Sequence, residues 1–354
     1  MKKIYFLATI LFFSSISLNA QVNDVVNPVD TPTGFLLVGN DLYYTHSSSI
    51  SKINIVAPSP TPVTIIGGLS EPTGLVLNGN NLYFAQATAN KVSMIDITAS
   101  SPTVIDVATS LNEPTFLALN GNDLYISEIG AGKISKLNIT ASLPTTTTNV
   151  ATGLTTPLDL ELIGNNLYFT EPDANRISKI DITASLPTTA TNVVTGLNKP
   201  LHIALNGNDL YISESDANKI SKINITSSVP TTATDVLTGI DSPEVLVSNV
   251  SDLYFSANST IAGQQKIAKI SFSVLSVDDN FNTKKINIYP NPTSDFILVS
   301  EFNRNEGYAI YNISGVKVQS GVILENNKID VRNLANGMYF FKVDNSIAIK
   351  FIKE

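Results

Sequence analysis

The stretch Pro72–Thr98 reads PTGLVLNGNNLYFAQATANKVSMIDIT, and after Pro102 it continues as TVIDVA to Ala108. Four short runs rich in Val, Ile, Leu, Tyr and Phe stand between turn residues. Asn78-Gly79, set between two apolar runs, is a strong hairpin signal, because glycine supplies the positive φ that a tight turn between twisted strands needs. The same block recurs along the chain. Six prolines, Pro32, Pro72, Pro114, Pro157, Pro200 and Pro243, stand 40, 42, 43, 43 and 43 residues apart, and each opens the same order of runs. A β unit this short cannot bury both of its faces alone, so the repeat implies units stacked on one another.

Four antiparallel strands in about 43 residues is the size of one propeller blade. The Asn-Gly turn returns at Asn120-Gly121 and Asn206-Gly207. Strands packed against blades on both sides are covered on both faces, which accounts for Leu-Tyr-Phe and Leu-Tyr-Ile in place of strict alternation. Tyr43, Tyr83, Tyr125, Tyr168, Tyr211 and Tyr254 fall at one place in every block. Such identity suits packing between blades, since a ligand site needs different residues in different blades. The last block, Pro243 to about Phe272, has only three strands. The segment Gln21 to Pro32 matches the final strand of other blocks, such as Ala233 to Pro243. The expectation is an all-β, six-bladed β-propeller over 21–273, closed when the N-terminal strand completes the last blade and leaves no inner edge exposed.

The 354 residues, 43% of them hydrophobic, suffice for two folded parts. Lys2 and Lys3, the apolar run Ile4–Phe13 and small residues ending at Ala20 have the layout of a secretory signal peptide over 1–20. That apolar run is far short of the ~20 residues of a bilayer span, and no later stretch reaches that length, so no transmembrane span is expected in the mature chain. The chain has no cysteine. Disulfides and a lipid-modified cysteine are therefore excluded, and packing and strand pairing must supply stability. Removing the signal leaves 20 basic residues against 30 acidic ones. So acidic a surface repels nucleic acid and anionic lipid. A P-loop, HExxH, a Gly-x-Ser-x-Gly elbow and an EF-hand loop are all absent from the sequence.

Beyond about Val274 the repeat stops. A polar linker, 274–285, leads to short alternating runs at 286–354 that read as a small β-sandwich. Tyr289-Pro-Asn-Pro292, Tyr311 to Gly315, Gly337-Met-Tyr339 and Ile349-Lys-Phe-Ile-Lys353 resemble the type A C-terminal sorting domain of the Bacteroidetes type IX secretion system. The resemblance implies a secreted or cell-surface protein exported across the outer membrane, with the type IX machinery as partner and removal of the domain afterwards. Within the repeats, Pro72-Thr-Gly-Leu-Val-Leu, Leu167-Tyr-Phe-Thr-Glu171 and Asn175-Arg-Ile-Ser-Lys-Ile180 resemble NHL repeats and those of streptogramin lyase and regucalcin-like lactonases. This resemblance implies the propeller fold, which serves lyases, lactonases and binding modules alike.

Two positions vary from block to block at the end of the blade where propellers gather ligands. The residue after the second strand is His46, Gln86, Glu128, Glu171, Glu214 and Ala257 in turn, and the second residue after each proline is Gly34, Gly74, Phe116, Asp159, His202 and Val245. Blades three to five thus offer Glu128, Asp159, Glu171, His202 and Glu214 as a ligand-binding rim. Clustered carboxylates resist common ionisation unless a cation compensates, so Glu128, Glu171 and Glu214 are candidate ligands for calcium or another divalent cation. The competing structural reading makes each Glu a cap that accepts backbone N–H groups from a neighbouring loop. His202 and Glu214 are the candidate catalytic pair if the lyase resemblance extends to chemistry. His202 stands one place later after its proline than the histidine of that family. Asp173-Ala-Asn175 and Asp216-Ala-Asn218 read as turn residues rather than calcium ligands. The main expectation is an exported binding or scaffold protein with an unknown extracellular ligand; the alternatives are an enzyme of the lyase or lactonase kind with a metal-assisted site at the channel mouth, and adhesion or glycan binding at the cell surface.

Overall fold

The computed structural model describes residues 22–272, 288–299, 307–312, 317–323, 328–343 and 349–354. The expected signal at 1–20 and linker at 274–285 lie outside the described residues. Two compact units divide the chain, Met1–Val277 and Asp278–Glu354.

The first unit is all-β apart from short 3-10 turns, and its strands form six four-stranded antiparallel sheets among the described residues. Sheets one to five begin at Pro32, Pro72, Pro114, Leu160 and Pro200 and end at Ile66, Ala108, Thr152, Thr195 and Thr238. Sheet six combines Leu246–Ser248, Asp252–Asn258 and Gln265–Ser271 with Asn23–Val29 from the other end of the unit. That N-terminal strand pairs antiparallel with Gln265–Ser271, from Asn23 opposite Lys269 to Val29 opposite Gln265. Lys266 Nζ holds Asp24 at 2.9 Å across the pair.

Local chemistry sets the hairpins. In sheet two, Asn78 pairs with Asn81, so the turn pair is Gly79-Asn80 rather than Asn78-Gly79, one residue beyond the sequence reading. Gly79 has φ +60° while Asn80 keeps a negative φ, the pattern of a turn with glycine at its first central position. Sheet six has no glycine at this turn. Asn249 Oδ1 instead accepts the N–H groups of Ser251 at 2.8 Å and Asp252 at 2.7 Å.

The core is divided among the sheets rather than gathered at one centre. Tyr43 and Ile50 of sheet one share a cluster with Leu82 and Phe84 of sheet two. Further clusters join sheets two and three, three and four, four and five, and five and six. The sixth, with Val29, Val245 and Ile267 against Phe35, Leu42, Tyr44 and Ile53, joins sheet six back to sheet one. The six repeated tyrosines are all buried within these clusters or beside them. In five sheets a lysine of the next strand lies 5.5 to 5.9 Å from the tyrosine ring. In sheet two Met94 stands opposite Tyr83. These contacts match a packing role for the tyrosines.

The second unit holds a three-stranded and a four-stranded antiparallel sheet among the described residues, around a core that includes Ile297, Ile310, Phe341 and Phe351. Asn291 of the Tyr-Pro-Asn-Pro motif donates to Lys350 O at 3.1 Å and accepts from Ile352 N at 2.9 Å, fastening the motif to the last strand. No described helix in either unit is long and apolar enough to cross a membrane.

Candidate functional site

Glu128, Glu171 and Glu214 end the second strands of sheets three, four and five, and each is at most 1% exposed. Glu128 accepts Asn112 N at 3.0 Å and Ser135 Oγ at 2.5 Å, with Lys133 Nζ at 3.3 Å. Glu214 repeats the pattern with Asn198 N at 2.9 Å, Ser221 Oγ at 2.5 Å and Lys219 Nζ at 3.5 Å. Glu171 accepts Thr155 N at 2.9 Å, Ser178 Oγ at 2.6 Å and a two-pronged Arg176 at 2.6 and 2.8 Å. Each carboxylate ties its own sheet to the link that arrives from the preceding one. Burial would raise the Glu171 pKa, but the hydrogen bonds of Arg176, Ser178 and Thr155 outweigh it and hold the carboxyl below its ordinary range.

These three side chains do not fit a divalent cation. Their oxygens already receive local donors, and among the described residues no group of three or more His, Cys, Asp or Glu could hold a metal ion. Asn175 and Asn218 close 3-10 turns in the left-handed conformation, and their side chains accept Lys199 N and Ser242 N, each at 2.9 Å. They link sheets.

Sheet one substitutes His46 for the glutamate, creating an arrangement that imitates a nucleophilic triad. His46 Nε2 lies 2.8 Å from Ser51 Oγ, and Nδ1 lies 3.5 Å from Asp30. Ser51 is only 1% exposed and occupies the place of Ser93, Ser135, Ser178 and Ser221, which serve Gln86 and the three glutamates. The serine is thus the common partner of a cap, buried away from substrate. Burial pushes His46 below the ordinary histidine range.

Asp159 and His202 lie elsewhere and line a central cavity of about 330 Å³, Asp159 immediately before the first strand of sheet four and His202 on the first strand of sheet five. All six sheets contribute to its wall, mostly through Leu, Val, Ile, Ala and Phe. Asp159 bridges sheets four and five: one oxygen accepts Leu160 N at 2.9 Å, the other accepts Ile203 N at 2.8 Å. His202 Nδ1 is 3.4 Å from that second oxygen, and its ring meets the Phe116 ring edge-on at 4.6 Å. Of the five rim residues, the structure therefore brings together Asp159 and His202 and keeps Glu128, Glu171 and Glu214 in separate caps.

The sequence reading missed Glu161. It occupies the position of Leu36, Val76, Ala118, Ala204 and Val247, a ring around the cavity that is otherwise aliphatic. The signal available was a single acid at a place that is apolar in five other repeats. By surface area Glu161 is partly accessible, but it lines the cavity and protein surrounds its carboxyl deeply; the cavity-facing environment decides its chemistry. Burial first, and the charge of Asp159 second, push its pKa up to about 8. Among the described residues no hydrogen-bond donor or cation holds this carboxylate, and no Lys or Arg lines the cavity. Ser248, the one hydroxyl in the wall, donates to Leu205 O at 2.5 Å.

No curated protein matches the chain in sequence. Among solved structures, a virginiamycin B lyase from Staphylococcus aureus aligns with a TM-score of 0.52 and 17% identity, over 72% of this chain and 99% of that one. A regucalcin from Agrobacterium tumefaciens, described as a calcium-binding protein, aligns with a TM-score of 0.56 and 12% identity, over 72% and 95%. A chain of a nidogen/laminin complex gives a TM-score of 0.53 and 14% identity, over 61% and 85%. At such identities the likeness speaks for the fold alone, and it bears out the resemblance to streptogramin-lyase and NHL-like propeller proteins. Residues 287–354 match the family described as the secretion system C-terminal sorting domain, the mark of proteins that type IX secretion exports to the cell surface or the extracellular space.

Proposed function

We propose that residues 22–272 form a closed six-bladed propeller, preceded by a removable signal at 1–20 and linked through 274–285 to the sorting domain. The exported protein acts outside the cell as a binding module that takes a small ligand into the central cavity. The cavity itself carries this reading. Its volume, about 330 Å³, lies in the range of small-molecule sites, and its lining side chains are mostly aliphatic or aromatic, with Asp159, Glu161, His202 and Ser248 as the polar ones. Val247→Trp should fill the space and leave the caps intact. Mass spectrometry of small molecules retained from spent medium by the full chain should then show at least one species lost in the variant; equal retention would remove the cavity from the reading.

An enzyme of the lyase or lactonase kind is the second reading, favoured by one observation. Glu161, with its pKa near 8, holds a proton at neutral pH that it could donate to a leaving group, and His202 beside Asp159 could accept one. Turnover of a lactone and depsipeptide panel that falls in Glu161→Gln and His202→Ala, but not in Glu128→Gln, would support catalysis. Silence of the wild type across the panel would leave the binding module.

A further inference from the structure

We infer that the central cavity takes a small organic ammonium with an apolar body, its charge set against Glu161; this inference rests on the cavity-binding reading above. The ring Leu36, Val76, Ala118, Glu161, Ala204 and Val247 offers one charge on an aliphatic wall. Both oxygens of nearby Asp159 are engaged by backbone N–H groups, whereas the Glu161 carboxylate has no donor among the described residues. A carboxylate that protein surrounds deeply and that has no donor is compensated by a cation or by taking up a proton. Two carboxylates with no Lys or Arg in the lining exclude an anion on electrostatic grounds.

A divalent metal suits the place poorly, because calcium takes six to eight oxygen ligands and the lining brings only two carboxylates, of which Asp159 already accepts two backbone N–H groups. An ammonium needs fewer partners. Its alkyl or aryl body would lie on the leucines and valines, and its N–H groups would donate to Glu161. In the empty protein a proton does the compensating work, since burial and Asp159 raise the Glu161 pKa to about 8. Binding at neutral pH must then displace that proton. The other titratable groups facing the site are Asp159, just before the same strand, His202, from the first strand of sheet five, and Tyr168, opposite Glu161 on the second strand of sheet four; the remaining lining strands bring none.

Calorimetry on the full chain at pH 7, in two buffers of different ionisation heat, reads both affinity and proton release. The probes are the linear amines from propylamine to hexylamine and 2-phenylethylamine, each against the corresponding alcohol, with calcium chloride as the metal arm. We expect the best amine to bind at least about tenfold tighter than its alcohol and to release about one proton per molecule bound. Glu161→Gln should lose both effects, whereas Asp173→Asn, which removes an exposed acid of the same sheet outside the cavity, should retain them; thermal unfolding verifies that both variants fold. Equal binding of amine and alcohol, unchanged amine binding in Glu161→Gln, or binding of calcium alone would overturn the ammonium assignment while leaving the cavity reading intact. Silence of every probe overturns it as well, and the Val247→Trp comparison then judges the cavity separately.

Discussion

Glu161 and Glu171 belong to one hairpin of sheet four, yet their surroundings pull their proton affinities in opposite directions. At Glu161 burial dominates and Asp159 adds to it, so the folded protein keeps a proton that the unfolded chain loses near the ordinary glutamate pKa. Stability must therefore fall as pH rises through that ordinary value and on to about 8. Glu161→Gln removes the liability: the variant should exceed wild type by roughly 2–4 kcal/mol above pH 8 and much less near pH 5. Urea unfolding at the two pH values measures this, and a pH-independent difference would contradict it. Glu171 has the reverse sign. Its lowered pKa contributes stability that is present above the ordinary glutamate pKa and is lost as pH falls through the folded value. Glu171→Ala strands Arg176 and Thr155 N–H without an acceptor and leaves Ser178 only the 3.5 Å contact to Asn192 Oδ1, and we expect a loss of roughly 3–5 kcal/mol at pH 7 by the same measurement.

At the scale of the strands, backbone packing limits the second residue after a block-opening proline. A Cβ placed on Gly74 would lie 2.6 Å from Phe116 Cα and 2.9 Å from Thr115 O, so sheet three's backbone fills the space of a side chain. Backbone cannot swing aside as a side-chain tip can. Gly74→Ala is expected to lower stability by roughly 1–3 kcal/mol, whereas an alanine effect near zero in urea unfolding would mean the sheets slide past each other freely. The strand Asn23–Val29 is the other decisive element, because it supplies the outer edge of sheet six and Val29 to the core shared with sheet one. Deleting 22–30 should lower Tm by more than about 10 °C and broaden the transition, as expected when several kcal/mol of packing are lost. A sharp transition at the wild-type temperature would refute the closure.

At the scale of the molecule, the chain divides into two units, of which the second carries the sorting domain. The sorting domain at 287–354 directs export, so a chain lacking it should remain inside the cell at normal abundance while the medium and the cell surface lose it. Blotting the three fractions distinguishes this outcome from simple degradation. The first unit distributes its core among six interfaces, each shared by successive sheets. That arrangement leaves the middle to the first strands, whose side chains differ from sheet to sheet while the interface tyrosines do not. The invariant tyrosines thus sit on the second strands and the varying side chains on the first.

Period, strand order, the interface role of the tyrosines and the pairing of the N-terminal strand with the last sheet were legible in the chain alone, because each depends on local spacing that recurs in every block. The glutamate caps were legible as one of two alternatives: the shared Ser/Thr-Glu context pointed to a common role, but the partner N–H groups of Asn112, Thr155 and Asn198 come from links whose path no spacing reveals. Glu161 passed unnoticed because an acid in an apolar run looks like an ordinary outward residue until the run is known to face a cavity shared by all six sheets. Tertiary structure alone decided that Asp159, Glu161 and His202 share that space. Their convergence depends on the angle between neighbouring sheets, and that angle is set by packing across interfaces rather than by anything written within one repeat.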